Sequence, residues 1–222
     1  MAKVYAVKKG HKTGIFYSWP ECQESIKGYS GAEFKSFPTE DDAIAYLGGF
    51  VDEKPMSNVI ECKRDKECNI FVIGSFDNTK QIGGFGIRLE SLRMKQDYYI
   101  GVLPNEEKGS VIYSEVLGSL VALQLAKELG YKVIRLYANN EGIVKWAEHL
   151  WLPKDKLKIK FCDYCDMLQK DKNNTVSFFT LEDKYIKKMV KVLAKRGLIC
   201  EEYVDINKVL DYNITEKDVI KF

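Results

Sequence analysis

Cys162-Asp163-Tyr164-Cys165 is a CxxC, and Cys62 and Cys68 would have to complete a four-thiolate zinc site with it. The five residues between Cys62 and Cys68 suit that poorly. At i and i+3 of a helix, Cys162 and Cys165 share one face, which favours two small apolar side chains in a core over a metal site. A second group is cationic and aromatic. Residues 1–20 hold Lys3, Lys8, Lys9 and Lys12 and no acid, with Tyr5 and Trp19 among them, and Phe34 and Lys35 follow. Lysines neutralise phosphates and release counterions, and an aromatic face lies readily against a sugar or base. Taken alone, Trp19 and Phe34 read more readily as core residues of a small domain. The third is a carboxylate. Glu115 opens a strongly apolar helix, where the dipole favours an acid whatever its role. Mg²⁺ would require several such acids to converge.

The elements that must position these residues follow from the pattern. KVYAV (residues 3–7) alternates as a strand, Gly10–Gly14 is a turn, and Ile15-Phe16-Tyr17 opens a second strand. Ser18 stands at a helix N-cap with Pro20 and Glu21 in the first turn, and Gly28 to Gly31 end that helix. Residues 32–37 form a third strand. Thr39 caps a second helix over residues 43–47, stopped by Gly48-Gly49. This is a ββαβα unit over residues 1–49. Residues 50–68 are charged and aperiodic and read as a linker.

Beyond it, Ile70 to Ile73 is an apolar run of the kind a sheet buries on both faces, and a polar turn returns as a strand loosened by Gly83, Gly84 and Gly86. Residues 98–103 form a third strand and residues 113–126 an apolar helix. A strand at 133–137, helices from 141 and over 154–172, a strand at 176–180 and a helix over 183–195 follow. The order is βββαβαβα over residues 69–195, and the class is α/β, with a small domain followed by a mixed-sheet domain. Residues 196–222 form a C-terminal extension with nine aliphatic residues, among them Val204, Val209 and Val219, too many for a solvated segment.

Composition excludes little. Thirty-four basic and thirty-two acidic residues leave +2, so no global basic field demands a nucleic-acid partner, although the lysine-rich start allows a local one. No apolar run reaches membrane-spanning length and no signal-peptide hydrophobic region opens the chain, so the six cysteines read as reduced thiols of a cytoplasmic protein.

VYAVKKGHKTGIFYSWPEC and GYSGAEFKSFPTEDDAIAYL resemble, in order and with few gaps, the N-terminal hybrid-binding domain of ribonuclease H1. The resemblance implies binding across the minor groove of RNA/DNA hybrids or double-stranded RNA. Carried over by position, the aromatic contacts fall on Trp19 and Phe34 with Tyr5 beside them, and a phosphate contact on Lys35; Lys8, Lys9 and Lys12 add charge nearby. Ser36 departs from a lysine frequent in the family. Residues 69–195 resemble the RNase H domain, most closely over Glu115–Ala126 and Tyr137–Trp146. That family cuts the RNA strand with two Mg²⁺ held by converging carboxylates. Its helix glutamate falls on Glu115, but the acid of the first strand falls on Ile73, that of the fourth strand on Asn139, and that of the last helix on Met189 or Val190. The loop histidine has no counterpart between Thr180 and Asp183.

The expectation is a hybrid- or double-stranded-RNA-binding protein without two-metal chemistry and with no cofactor. Two alternatives stand beside it. One is an active, Mg²⁺-dependent ribonuclease H with a divergent site in which Glu115 holds metal. The other is a protein-interaction scaffold, with residues 196–222 meeting a protein partner.

Overall fold

The computed structural model describes residues 3–39, 42–43, 46–47, 59–94, 96–103, 109–200 and 203–221. The chain divides into two compact units, Met1–Ser57 and Asn58–Phe222.

In the first unit, β1 (Val4–Lys9), β2 (Gly14–Phe16) and β3 (Glu33–Phe37) form an antiparallel sheet in the order β2-β1-β3. Helix α1 (Trp19–Ile26) lies between β2 and β3 in sequence and starts as its residues dictate. Ser18 Oγ donates to Glu21 Oε2 at 2.8 Å, Pro20 lies in the first turn, and Gly28 follows the helix with φ 74°. Thr39 Oγ1 accepts from the Asp42 backbone at 3.2 Å, the capping contact expected there. Of the second helix expected over 43–47, residues 44 and 45 lie outside the described residues, while Ala43 and Leu47 are buried.

The second unit is built on β4 (Glu67–Asp77), β5 (Ile82–Ser91), β6 (Asp97–Leu103), β7 (Val133–Ala138), β8 (Thr175–Thr180) and β9 (Ile220–Lys221). The sheet order is β8-β7-β4-β5-β6-β9, with β7 and β8 parallel to β4 and the other pairs antiparallel. Helix α2 (Val111–Glu128) follows β6, and α3 (Glu141–Ala147) and α4 (Lys156–Lys170) both lie between β7 and β8. Helix α5 (Lys184–Gly197) and the short α6 (Ile206–Leu210) complete the unit. Thirteen consecutive residues of α2, Ser114 to Ala126, are buried, so its apolar character all round is that of a central helix. On α5 the buried face is Ile186, Met189, Val190, Leu193 and Ala194, packed against β4, β5 and β6. Gly86 allows that contact, because a Cβ there would lie 2.7 Å from both Ala194 N and Val190 O.

One departure from the expected organisation has a plain cause. The described part of the linker, residues 59–68, belongs to the second unit. Asn69 Nδ2 donates to Ile60 O at 2.7 Å, Tyr137 Oη accepts from Ile60 N at 3.1 Å, and Cys62 is buried. Its charged composition masked these few contacts; residues 50–58 lie outside the described residues. The C-terminal extension is integral. Val204, Val209, Ile214 and Val219 join the main core, and β9 adds an edge strand to β6. All six cysteines are free thiols. Cys162 and Cys165 sit in the main core, and burial pushes the Cys162 thiol up to about 11. No helix among the described residues is long and apolar enough to cross a membrane.

Candidate nucleic-acid face and the Glu115 site

The first unit brings three aromatic rings together. Tyr5 reaches from β1, Phe34 from β3, and Trp19 from the first turn of α1. The Tyr5–Trp19 centroids lie 5.4 Å apart and the Trp19–Phe34 centroids 6.0 Å, with tilted planes in both pairs. The register explains the convergence. Tyr5 is paired with Ser36 and Val7 with Phe34, and directly opposed residues share a face of the sheet. Trp19 is 42% exposed and Phe34 41%, which a core pair of a small domain would not be. The core of this unit is instead Ala6, Val7, Cys22, Ala43 and Leu47.

The lysines are distributed differently. Lys8, Lys12 and Lys35 are exposed. Lys9 pairs with Glu33 across β1 and β3, and the contact raises the lysine pKa and lowers that of the carboxyl. Lys35 alternates with Phe34 along β3, so it points to the other face of the pleat, with Nζ 5.5 Å from the centroid of Phe37. Ser36 stands on the aromatic face. The sheet therefore assembles Tyr5, Trp19 and Phe34 and leaves Lys35 on the other side of the pleat.

In the second unit Glu115 lies one turn into α2, at the end of β4. Gly74 makes that approach feasible, since a Cβ there would stand 2.4 Å from Val111 O and 2.6 Å from Glu115 N. The carboxylate is buried, 1% exposed, and accepts from Asn140 N at 2.6 Å and Gly74 N at 3.4 Å. Burial pushes its pKa up to about 6, against the pull of those backbone N–H groups and of the Lys187 charge.

Around it the expected positions carry no further acid. Ile73 and Val190, 4% and 0% exposed, belong to one apolar cluster with Phe71, Tyr137, Leu181 and Ile186. Phe71, Tyr137 and Phe179 stack across β4, β7 and β8 with centroids 5.0 and 4.9 Å apart. Met189 turns to a different cluster with Tyr98, Ile100 and Leu193, so Val190 is the α5 residue packed with Ile73. Asn139 is exposed, and Asn140 caps α3 by accepting from Gly142 N at 2.8 Å. Nearby acids are used elsewhere. Asp77 accepts from Thr79 N and Lys80 N in the β4–β5 turn, Glu141 pairs with Lys145, and Asp183 caps α5 by accepting from Ile186 N at 2.8 Å. Among the described residues no three His, Cys, Asp or Glu side chains converge as a metal site would require.

One charged surface escaped the sequence reading. The segment KYIKKMVKVLAKRG of α5 holds five lysines, one arginine and no acid. Its signal in the sequence is the run of cations without an acid from Lys184 to Gly197.

Residues 3–47 match the family model described as the ribonuclease H1 N-terminal domain. Ribonuclease H1 of Mus musculus is 46% identical over 43 residues, which are 19% of this chain and 15% of that protein. Ribonuclease H of Saccharomyces cerevisiae is 46% identical over 44 residues, 20% of this chain and 13% of that protein. The chain thus covers 15% or less of the length of these two curated relatives. Among solved structures, the N-terminal RNase H domain of a Mycobacterium tuberculosis protein, studied as a fusion with maltose-binding protein, superposes with a TM-score of 0.51 at 13% identity. The match covers 60% of this chain and 93% of that one. RNase H1 of Halobacterium salinarum gives 0.48 at 15% identity, over 60% and 97%. The amino-terminal residues 3–47 match the ribonuclease H1 N-terminal domain, and the mixed six-stranded sheet with its helices is the fold of RNase H.

Proposed function

We propose that this chain binds RNA/DNA hybrid or double-stranded RNA through the Tyr5–Trp19–Phe34 face, and that its second unit does not cleave what it binds. The observation that carries the first part is the exposed ring cluster itself, in a segment matching a ribonuclease H1 N-terminal domain. Rings left in solvent at this cost are suited to lie on sugars or bases. Lys8 and Lys12 supply charge for phosphates, and Lys35 reaches them only around the edge of β3. The unpaired thiols suit a reducing compartment such as the cytoplasm.

The second part rests on the donor set around Glu115. Two Mg²⁺ bring four positive charges, and this site offers one buried carboxylate already accepting from two backbone N–H groups. The residues present do not fit the ions. An apolar cluster holds Ile73 and Val190, two of the positions where the resemblance places ligands.

Binding of labelled hybrid, double-stranded RNA and double-stranded DNA to the full chain tests the reading. Trp19→Ala should weaken hybrid binding by about 1–3 kcal/mol. Unchanged affinity in a folded Trp19→Ala protein would remove the aromatic face from the interface.

A further inference from the structure

At about 100° per residue, Lys184, Lys187, Lys188, Lys191 and Lys195 fall within an arc of roughly 100° on α5. The stripe runs about 16 Å along the axis at 1.5 Å per residue. Lys184, Lys191 and Lys195 are exposed, and Lys187 and Lys188 are half-buried. No residue of the helix is acidic, whereas the whole chain is close to neutral at +2. This polarity is local and strong.

We propose that the lysine face of α5 is a contact surface for the phosphate backbone of duplex nucleic acid, separate from the aromatic face of the first unit. The proposal rests on the reading of the protein as a duplex binder. A basic amphipathic helix often serves a membrane or a helix-binding protein, but those uses need its apolar face. Here that face is occupied: Met189, Val190, Leu193 and Ala194 are buried against the sheet. Among the described side chains of the helix, what remains outside is charge without an aromatic or aliphatic anchor, whereas protein interfaces draw most of their affinity from such anchors. A duplex needs none. It presents one negative charge per about 1.7 Å, so about ten phosphates lie along a stretch as long as the stripe.

The surroundings of Glu115 point the same way. The charge of Lys187 acts on Glu115, and the apolar Ile73 and Val190 stand where carboxylates would repel a backbone. A site that in a two-metal enzyme is negative until metal binds here feels the charge of Lys187.

The test is the salt dependence of binding of a short RNA/DNA hybrid to the full chain. In the triple variant Lys184→Gln, Lys187→Gln, Lys191→Gln, the slope of log K against log salt should fall by about two to three units, near 0.9 per lost contact. The matching Lys→Arg triple should keep the wild-type slope, and circular dichroism melting should show both variants folded. Trp19→Ala, measured in parallel, separates this surface from the first unit. An unchanged slope in the Gln triple, with binding still weakened by Trp19→Ala, would overturn the α5 surface and leave the aromatic face standing. Absence of hybrid binding in every protein would sink both readings. If the Gln triple instead lost binding to poly-L-glutamate or to phosphatidylserine vesicles and bound the hybrid as before, the surface would serve a different anion and the proposal would fail.

Discussion

Glu115 shows how far one side chain's chemistry depends on what surrounds it. Resemblance places a metal ligand at its position, yet it lies almost fully desolvated and accepts from Gly74 N and Asn140 N. Its pKa near 6 in the folded protein exceeds the ordinary 4.5, so the native state holds this proton more tightly than the unfolded chain. That contribution is fully present below pH 4.5 and is lost as pH rises through 6. At 1.36 kcal/mol per unit the loss amounts to about 2 kcal/mol. Glu115→Gln keeps a carbonyl to accept from the backbone and has no charge to desolvate. Its unfolding free energy, relative to wild type, should be lowest near pH 4.5 and higher by about 2 kcal/mol above pH 7. Denaturant titrations across that range measure it, and a pH-independent difference would show the carboxylate to be better solvated than its burial implies.

At the scale of elements, the C-terminal extension is fixed by a residue far away in sequence. Gln124, buried in α2, donates from Nε2 to Val209 O at 2.9 Å and accepts at Oε1 from Ile214 N at 3.0 Å. Gln124→Ala leaves two buried backbone groups unpaired and should cost about 2–6 kcal/mol, at about 1–3 for each group. The reading is a shift in urea midpoint at constant m, and a change below about 0.5 kcal/mol would mean that water replaces the amide. This clamp also marks where sequence reading stops. The aliphatic content of residues 196–222 said that they pack, but a glutamine in an apolar helix gives no sign of its partner 85 residues on. Local chemistry was readable: Ser18 as N-cap, the glycine-loosened β5, and the order of the β4–β6 strands all follow from neighbouring residues. Strand register carried the rest. It put Lys35 on the opposite side of the pleat from Phe34, where positional resemblance had grouped them, while side-chain contacts from Asn69 and Tyr137 joined residues 59–68 to the second unit.

For the molecule as a whole, the question is whether a chain with a ribonuclease-like fold must cut. The expected outcome is that the purified protein retains an RNA/DNA hybrid and leaves it intact in Mg²⁺ or Mn²⁺. A two-metal site works by neutralising charge on the attacking and leaving oxygens, and each 1.36 kcal/mol withheld costs tenfold in rate. By resemblance three ligand positions fall on Ile73, Asn139 and Val190, and Ile73 and Val190 belong to a buried apolar cluster. Restoring the acids is therefore a stability experiment as well as a catalytic one. Ile73→Asp with Asn139→Asp and Val190→Asp would bury carboxylates beside Glu115 and should lower stability by several kcal/mol at neutral pH. If the backbone still presents these positions to a common centre, millimolar Mn²⁺ should recover part of that loss by binding only the folded state. Recovery of melting temperature by Mn²⁺ in the triple variant and not in wild type would show that the geometry persists and only the ligands are gone. Metal-dependent cleavage by the wild-type chain, abolished in Glu115→Ala, would show instead that acids elsewhere complete the site, and the proposed loss of chemistry would be wrong.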